Sequence, residues 1–458
     1  MGVCGTGMGA LAGMFKAAGY HVSGSDANVY PPMSDFLASI GVSVTSGYAP
    51  ENLSPKPDLV VVGNVITRKN PEAVALADLS LPYVSFPQAL SHYFIVDKTS
   101  LVVAGTHGKT TISSLLATVL FRAGLTPGFM IGGLVQAFGR NYNIGAGSYF
   151  VAEGDEYDTA FFDKGPKFLH YRPHIAIITS IEFDHADIYA DLEAVKSSFR
   201  KLVRIMPPDG CLVACFDDPV VREVVAEAGC DVVSYGETPG LDWSLEDMRI
   251  SAAETTFRAR RNDVLFGDFG LSMPGRHNAL NCLAVIAVLE RLGMSSEDMA
   301  GGLKSFEGVR RRQEVRGVER GATVIDDFAH HPTSVRETLG ALAAAYKGRR
   351  LVAVFEPRTN SSRRRVFQEA YVATFDSAGQ VIVMEPAALE NIPPAERFSA
   401  ARLVDDLCRR GLDALYFSDT GAIIDHLDRT VSSGDVVAIL SNGGFENIHT
   451  RLLERLRA

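Results

Sequence analysis

The stretch from residue 101 to 122 reads LVVAGTHGKTTISSLLATVLFR, and it indicates the fold class of the chain around it. It begins with an apolar, β-branched run, passes two glycines and continues as a helical pattern. A strand, a glycine-containing loop and a helix in this order form a phosphate-binding P-loop. The full pattern has a glycine where Val103 stands, so this loop is a shortened variant. The alternative is a strand-to-helix turn with a chance Lys-Thr pair.

The loop residues have chemistry that suits a nucleotide. Backbone N–H groups of the loop and of the helix N-terminus can surround phosphates, which a lysine side chain can also reach. Lys109 would contact the outer phosphates, and a threonine hydroxyl would bind Mg²⁺. The predicted phosphate-binding residues are Gly105, Thr106, His107, Gly108, Lys109, Thr110 and Thr111.

Similar strand–helix alternation extends over the whole chain and predicts an α/β protein with parallel sheets. The 458 residues correspond to roughly three domains at about 150 residues each. We predict blocks over 1–97, 98–312 and 313–458. The third block contains strands over 323–325, 351–355, 381–384 and 436–440.

Charge and cysteine content exclude several classes of protein. With 54 acidic and 44 basic residues the net charge is −10, which disfavours binding to nucleic acid or to an anionic membrane. No apolar run reaches the roughly 18 residues of a membrane span. The six cysteines are scattered and form no zinc pattern, so we predict reduced thiols in a cytoplasmic protein. No feature indicates an obligate protein partner.

The first block carries a second glycine-rich loop, with Gly5 and Gly7 leading into a helix that ends near Gly19. Strands are predicted over 21–24 and 59–63. A loop of this type normally follows a strand, yet only Met1 precedes it. We therefore expect the first strand to be missing, through a late start site or a truncation, and the sheet of this block to be weakened.

Acidic residues follow two predicted strands of the second block. Glu153 and the acids up to Asp158 come after the strand over 149–152, at the sheet edge where ligands bind. Their repulsion calls for a cation, and Glu153 is the best candidate for a Mg²⁺ ligand; the alternative is a solvated acidic turn. The run 182–187 ends the strand over 175–180, and its His185 is either a metal ligand or a capping residue.

Three further groups could contact a nucleotide. Arginines 310–312 and 363–365 are either solvated helix faces or phosphate clamps at a domain boundary. In the run 326–332 we favour nucleotide hydrogen bonding over a metal pair for the two histidines, because adjacent side chains point in different directions. Asn278 and Asn281 either cap a helix or bind an adenine edge.

In combination these motifs resemble the Mur ligase family over essentially the whole chain. The resemblance rests on residues 24–33, 104–111, 155–164, 182–187, 326–333 and 441–445. It implies a Rossmann-like domain that binds a UDP-sugar, a central P-loop domain that binds ATP, and a Rossmann-like α/β C-terminal domain that binds a peptide. The implied activity is that of an ATP-dependent acid–amino-acid ligase.

Within the family, residues 157–164 and 356–358 are most similar to the members that join the tripeptide L-Ala-γ-D-Glu-meso-diaminopimelate to UDP-N-acetylmuramate during murein recycling, through an acyl phosphate. The implied cofactors are ATP and Mg²⁺. Lys109, Glu153, His185 and Arg312 would be catalytic, and Thr110, Glu153 and His185 would hold the metal. The remaining implied contacts are Asn278, Asn281, Arg312, Asp327 and His330 for ATP; Gly5, Thr6, Gly7 and Asp26 for the UDP-sugar; and Glu356, Arg358, Asn360, Ser441 and Asn442 for the peptide.

Three other functional interpretations of the sequence are possible. An L-alanine-adding ligase of the same family would share the P-loop and the His-His-Pro turn. A Rossmann oxidoreductase could use the first glycine loop and Asp26, but it would leave the P-loop without a role. A UDP-sugar sensor would need an inactive ATP site, and nothing in Lys109, Thr110 or Glu153 indicates decay.

Overall fold

A computed structural model describes residues 1–458. The chain forms two compact units, which are described separately. The first contains Met1–Glu182, Glu193–Ser244 and Ala284–Gly302, and the second contains Phe183–Leu192, Leu245–Leu283 and Leu303–Ala458.

The chain contains 22 strands. Their bounds are β1 Ser23–Asp26, β2 Ser43–Ser46, β3 Val60–Val62, β4 Tyr83–Ser85, β5 Thr99–Ala104, β6 Gly128–Val135, β7 Arg140–Asn143, β8 Tyr149–Glu153, β9 Asp158–Ala160, β10 Asp163–Pro166, β11 Ile175–Ile178, β12 Cys211–Cys215, β13 Asp231–Gly236, β14 Trp243–Ile250, β15 Thr255–Arg261, β16 Val264–Leu271, β17 Glu314–Glu319, β18 Ala322–Asp327, β19 Leu351–Phe355, β20 Gln380–Met384, β21 Ala414–Phe417 and β22 Val436–Leu440.

Fourteen α-helices connect or follow these strands. Their bounds are α1 Thr6–Ala17, α2 Met33–Ser39, α3 Pro71–Asp78, α4 Phe86–Leu90, α5 Lys109–Arg122, α6 Leu192–Arg204, α7 Pro219–Val225, α8 Arg276–Arg291, α9 Ser296–Lys304, α10 Pro332–Ala345, α11 Gln368–Val372, α12 Ala400–Arg409, α13 Thr420–Thr430 and α14 Ile448–Arg457. None of them combines the length and the apolar character that a membrane span requires.

The core of the first unit is a mainly parallel sheet with β5 near its centre. Strand β5 pairs in parallel with β8 on one side and with β11 on the other. Residues 100–104 of β5 are all buried, as expected for a strand covered on both faces. Because these strands run in the same direction, Ala104, Glu153 and Ile178 end at one edge of the sheet. The P-loop and the acidic strand end are therefore neighbours, as predicted.

The N-terminal block contains two separate parallel strand pairs, β1–β2 and β3–β4. Its first residues supply the hydrogen bonds between them: the Met1 ammonium donates to the Val61 carbonyl at 2.9 Å, and Gly2 N–H donates to the Ser25 carbonyl at 2.8 Å. No strand precedes α1, as predicted, and residues 1 and 2 take its place with these two hydrogen bonds. Burial lowers the pKa of the Met1 amino group. Strand β1 begins two residues later than predicted.

The second unit contains a six-stranded sheet in the order β17-β18-β22-β19-β20-β21. All neighbouring strands are parallel except β17, which is antiparallel to β18. Alternate residues of β19 belong to different cores, with Ala353 and Phe355 on one face and Val352 and Val354 on the other. Asp327 and Phe355 both pair with Leu440, so strands β18, β19 and β22 end at one edge.

Parallel pairing predicts most of the architecture but not all of it. Antiparallel partners occur at β6–β7, β9–β10, β15–β16 and β17–β18. Strands β15 and β16 are joined by a two-residue turn at Asn262 and Asp263, both with positive φ, which is typical of a tight hairpin. The sheets are therefore mixed, within the α/β class that was predicted.

Candidate active site

The P-loop lies between β5 and α5 and is fixed by the strand next to it. Gly105 has φ +127°, and a Cβ there would lie 2.0 Å from the Thr179 hydroxyl oxygen, so only glycine fits. Thr106 N–H donates to the Ser180 carbonyl at 2.8 Å, and the Thr179 hydroxyl donates to the His107 carbonyl at 2.5 Å. The end of β11 thus holds the loop in shape before any phosphate arrives.

The lysine of this loop is paired with a buried carboxylate. Lys109 Nζ lies 2.9 Å from Glu156 Oε2 and also donates to the Gly105 carbonyl at 2.5 Å. The Glu156 side chain is only 3% exposed. Burial lowers the pKa of Lys109, but the carboxylates of Glu156 and Asp155 outweigh it and the net shift is upward. Lys109 is therefore a fixed cation at the start of α5, suited to the outer phosphates of a nucleotide.

Two hard oxygen donors meet beside this lysine. The Thr110 hydroxyl donates to Glu153 Oε1 at 3.0 Å, and Gly132 N–H donates to Glu153 Oε2 at 2.7 Å. Hydroxyl and carboxylate oxygens next to a phosphate loop are the donor set that Mg²⁺ prefers. The residues present therefore fit a magnesium ion bound together with nucleotide phosphates.

The remaining acids of this segment have lysine partners. Asp155 accepts from Lys167 at 2.5 Å, and Asp158 accepts from Lys164 at 2.5 Å. Burial raises the pKa of Asp155, but Lys167 outweighs it and brings the pKa down to about 2. The cations expected to offset the acidic run are thus mostly lysine side chains. Glu153 instead accepts from a hydroxyl and a backbone N–H.

His185 lies in the second unit, in a loop held to the C-terminal block. Its φ is +53°, and its backbone N–H donates to Asp184 Oδ1 at 2.6 Å. Ala186 N–H donates to the Ser361 hydroxyl at 3.1 Å, and the Asn360 amide donates to Asp187 at 2.8 Å. Burial raises the pKa of Asp184, but His185 and two further histidines outweigh it and the net shift is downward. Asn360, predicted to contact peptide, therefore bonds to the loop of His185.

The two histidines after β18 have different structural roles. His331 caps helix α10, since its Nδ1 accepts from Thr333 N–H at 3.2 Å. Its proton is therefore on Nε2, which donates to the Phe183 carbonyl at 3.2 Å. His330 Nδ1 lies 3.1 Å from the Phe328 carbonyl. Each of the two histidines thus contacts backbone groups of its own.

The boundary arginine and the aspartate at the end of β18 lie close together. The Arg312 guanidinium stands over the Phe328 ring at 4.9 Å. Asp327 is 4% exposed and accepts from Gln313 N–H and Ala329 N–H, each at 2.8 Å. Its burial outweighs Arg312 and raises the pKa of the carboxyl group.

The asparagines of α8 form a short amide chain with a residue that the sequence did not single out. Asn278 Nδ2 donates to the Pro274 carbonyl at 2.8 Å and to Gln313 Oε1 at 3.0 Å, and Asn281 donates to Asn278 Oδ1 at 3.3 Å. The Asn278 amide is thereby fully used. Gln313 Nε2 is buried without a hydrogen-bond partner. Gln313 directly follows the arginine triplet, which was the only signal in the sequence.

The predicted peptide residues meet at the ends of β19 and β22. The Ser441 hydroxyl donates to Glu356, and Arg358 Nη1 donates to the same carboxylate at 3.3 Å. A Cβ on Gly443 would lie 2.2 Å from Arg358 Cδ, so Arg358 fills the space that the glycine leaves. Asn442 Oδ1 is buried and has no hydrogen-bond partner. It is an acceptor that an incoming N–H group could satisfy.

In the first block, Gly5 caps helix α1 and Thr6 and Gly7 form its first turn, which suits an anionic group. Asp26 accepts from Cys4 N–H and Asn28 N–H, each at 2.9 Å. The sequence argument missed Glu72, which is 1% exposed and accepts from Ser25 and Asn52, each at 2.6 Å. Glu72 lies 46 residues after Asp26, and the chain between them carries no motif.

The resemblance found in the sequence leaves open a carbamylated lysine, for which Lys196 and Lys201 are candidates by position. Lys196 Nζ lies 2.6 Å from Glu223 and 2.9 Å from Glu193. Hydrogen bonds to Glu223 and Glu193 raise the pKa of Lys196. Carbamylation requires a neutral amine, so these ion pairs oppose it at Lys196. Lys201 is exposed on the same helix.

The P-loop with its Lys109, Thr110 and Glu153 side chains suits a nucleotide, and comparison with known proteins identifies the family. The family descriptions that match are "Mur ligase family, catalytic domain" over residues 1–95, "Mur ligase middle domain" over 103–289 and "Mur ligase, glutamate ligase domain" over 310–443. The chain belongs to the Mur ligase family, and its three-domain α/β fold is confirmed.

Three individual relatives show how similar this chain is to particular members of the family. The UDP-N-acetylmuramate–L-alanyl-γ-D-glutamyl-meso-2,6-diaminoheptandioate ligase of Escherichia coli K12 is 38% identical over 457 residues, covering 100% of this chain and 97% of the relative. The UDP-N-acetylmuramate–L-alanine ligase of Geobacter sp. M21 is 34% identical, and the match covers 100% of this chain and 97% of the relative. The crystal structure of a murein peptide ligase from Psychrobacter arcticus matches with a TM-score of 0.72 at 34% identity. The match covers 100% of this chain and 98% of that chain.

Proposed function

We propose that this protein is a murein peptide ligase, which joins the tripeptide L-Ala-γ-D-Glu-meso-diaminopimelate to UDP-N-acetylmuramate with hydrolysis of ATP. The observation that carries the proposal is the Lys109, Thr110 and Glu153 cluster at the P-loop, in a chain that matches the E. coli tripeptide ligase over its full length. Such a cluster serves phosphoryl transfer, and the full-length similarity supplies the substrate class.

We assign three functional parts, with boundaries at 97 and 312. Residues 1–97 bind the UDP-sugar, through Gly5, Thr6 and Gly7 at the N-terminus of α1 and through Asp26. Residues 98–312 bind ATP, and residues 313–458 bind the tripeptide. The N-terminus of α1 supports the first assignment, because unpaired N–H groups and the helix dipole favour a diphosphate.

The chemistry begins with a carboxylate that is too poor an electrophile to react with an amine. A carboxylate oxygen of UDP-N-acetylmuramate attacks the γ-phosphorus of ATP, and ADP leaves. The product is an acyl phosphate. The α-amine of the tripeptide then attacks the acyl carbon, phosphate leaves, and the nitrogen loses one proton. The sum is one amide, ADP and phosphate.

The residues act mainly by bringing like charges together. Carboxylate and triphosphate repel each other, and Lys109 and Arg312 are the cations assigned to offset this. The P-loop residues Gly105 to Thr111 would donate N–H groups to phosphates. Thr110, Glu153 and His185 are assigned to a Mg²⁺ ion, which when bound would neutralise phosphate charge.

On the nucleoside side, Asn278 and Asn281 are assigned to the adenine base, and Gln313, which accepts from Asn278, is added to them. Asp327 and His330 are assigned to the ribose. The buried carboxylate of Asp327 already accepts three protein hydrogen bonds, so it acts by holding its loop in place.

On the peptide side, Asn442 Oδ1 is a buried acceptor without a partner, which suits an N–H of the incoming tripeptide. Glu356 and Ser441 orient its loop, and Arg358, about half exposed, is available to a peptide carboxylate. Asn360 is assigned to the same site. We place the reaction in the cytoplasm, consistent with six free thiols, and assign no nucleic-acid or obligate protein partner.

A second candidate is the L-alanine-adding ligase, because several such enzymes are 32–34% identical over nearly the full chain. One experiment separates the two. Phosphate release is measured with ATP, Mg²⁺ and UDP-N-acetylmuramate, with either the tripeptide or L-alanine added, and the product mass is determined. We expect tripeptide-dependent release and the tripeptide adduct. Release with L-alanine alone would assign the second activity, and release with neither would refute both.

A further inference from the structure

The middle residue of the arginine triplet 310–312 has no role in the assignments above, yet its guanidinium group is held by several hydrogen bonds. Arg311 Nη2 donates to the Ser441 carbonyl at 2.5 Å and to the Gly443 carbonyl at 2.6 Å. These two carbonyls flank Asn442. One guanidinium therefore holds both ends of the three-residue segment 441–443.

The segment has little other support on the side of Asn442. Gly443 N–H donates to the Ser441 hydroxyl at 2.9 Å, and that hydroxyl donates to Glu356. Neither bond restrains the Asn442 side chain, whose Oδ1 is buried without a partner. The direction of this acceptor is set by the backbone on either side of it, and Arg311 binds both flanking carbonyls.

Arg311 is joined to the nucleotide side through Phe328. Its guanidinium lies 5.4 Å from the Phe328 ring centroid, and that of Arg312 lies 4.9 Å from the same centroid. Phe328 N–H donates to the Arg311 carbonyl at 2.8 Å. Phe328 is thus a shared platform for Arg312, assigned to a phosphate, and for Arg311, which holds the peptide loop.

The other end of Arg311 is anchored on a buried carboxylate. Asp326 is 1% exposed, and its Oδ1 lies 3.5 Å from Arg311 Nε. Asp326 also has Arg316 and His449 at 3.2 Å each. Loss of the Arg311 side chain would therefore not leave this carboxylate unpaired, and variants at 311 are expected to fold.

We propose that Arg311 is a positioning residue for the peptide substrate: it orients Asn442 by clamping the carbonyls of Ser441 and Gly443, and it links that loop to Arg312 through Phe328. The inference rests on the proposed function, because it uses the assignment of Asn442 to the peptide. It differs from that assignment in predicting an effect of a residue that does not touch substrate.

The test compares Arg311→Met with Arg310→Met, the exposed neighbour in the same triplet. With wild-type tripeptide ligation as reference, we expect Arg311→Met to raise KM for the tripeptide about tenfold or more, with KM for UDP-N-acetylmuramate unchanged within about twofold. Arg310→Met should match the wild type. Arg311→Lys keeps the charge but not the fork, so it should recover only part of the loss.

A double-mutant cycle distinguishes positioning from general damage. If Arg311 acts through Asn442, the double variant Arg311→Met/Asn442→Ala should bind tripeptide about as weakly as Asn442→Ala alone. Fully additive losses, or equal rises in all three KM values, would overturn the inference. Absence of tripeptide ligation in the wild type would instead refute the proposed function.

Discussion

Two regions of this ligase differ in how their polar groups are paired. One is the P-loop region with Lys109 and Asp155, called here the phosphate side, and the other is the proposed peptide site at Asn442, called here the peptide side. Around the P-loop three charge pairs are formed within the protein: Lys109 with Glu156, Asp155 with Lys167 and Asp158 with Lys164. At the proposed peptide site the loop at Asn442 leaves a buried acceptor without a partner. The first region is held in shape by its own ion pairs, whereas in the second the proposed ligand would supply the missing hydrogen bond.

The difference follows from what each ligand offers. A triphosphate brings a large, fixed charge that any oriented cation and backbone N–H can bind, so internal ion pairs can hold the site in shape. The tripeptide brings carboxylates and amino groups, and it also brings N–H groups that each need an acceptor. Recognition of such an N–H group depends on protein atoms that have no competing partner within the fold.

The largest expected effect comes from removing the P-loop cation. Lys109→Met should lower kcat by about a thousandfold, because electrostatic stabilisation of the transferred phosphoryl group is lost. It should also destabilise the fold by about 3 kcal/mol, because the buried Glu156 carboxylate loses its ion pair with Lys109. Turnover and urea unfolding would measure the two effects.

The variant Lys109→Met/Glu156→Gln is the matched control. It also removes the carboxylate charge that lost its ion pair, so we expect stability to return towards the wild type while turnover stays low. If activity returned with stability, Lys109 would be a structural residue only.

The next effect sharpens the assignment of the metal donors. Glu153→Gln keeps the shape but loses the anionic oxygen, so we expect kcat to fall about a hundredfold and the Mg²⁺ needed for half-maximal rate to rise. A magnesium titration of the rate checks this. Glu237→Gln, a carboxylate outside the P-loop, is the control. An unchanged magnesium requirement would argue against Glu153 as a ligand.

A smaller effect should be confined to the peptide side. Asn442→Ala removes the unpaired acceptor, and we expect KM for the tripeptide to rise about tenfold, corresponding to one lost hydrogen bond in a buried site. KM for ATP should stay within about twofold of the wild-type value, because Asn442 is assigned to the peptide and not to the nucleotide. Steady-state kinetics with each substrate varied separately would show whether both KM values rise together, which would contradict the division into two regions.

The smallest effect concerns acid stability on the phosphate side. The pKa of Asp155 is lowered from 3.8 to about 2, mainly through Lys167. A lowered pKa stabilises the fold above the unfolded value, and the contribution is lost as pH falls from about 4 to about 2. Because the Asp155 side chain is 38% exposed, we expect only about 1 kcal/mol. Asp155→Asn should flatten the dependence of unfolding free energy on pH in this window, whereas an unchanged slope would contradict the ion pair.

The sheet edge that carries the P-loop and two strands of the third block could be predicted from the sequence, for a physical reason. Residues 101–122 and Glu153 lie at the ends of parallel strands, and such strands bring their carboxyl ends to one edge whatever the loops contain. Strands 351–355 and 436–440 were predicted to the residue because both are continuous apolar runs.

What the sequence could not show depends on partners that are distant along the chain. Arg311 contacts a loop 130 residues away, and Ser441 bonds to Glu356 85 residues away. The hairpin of β15 and β16 has its turn at Asn262-Asp263 rather than at a glycine pair. The acidic run was expected to need a metal cation, whereas lysines supply most of the charge.

Gly443 has no side chain, and Arg358 fills the space beside it. A single substitution at this position could therefore change the selectivity for the acceptor peptide. The glycine does not require a positive φ, so alanine would be tolerated by the backbone. An added methyl group would displace the Arg358 side chain, which is half exposed and donates to Glu356 at 3.3 Å. The substitution Gly443→Ala would then change which acceptor peptides Arg358 can reach. It would not alter the residues assigned to activation of the sugar acid.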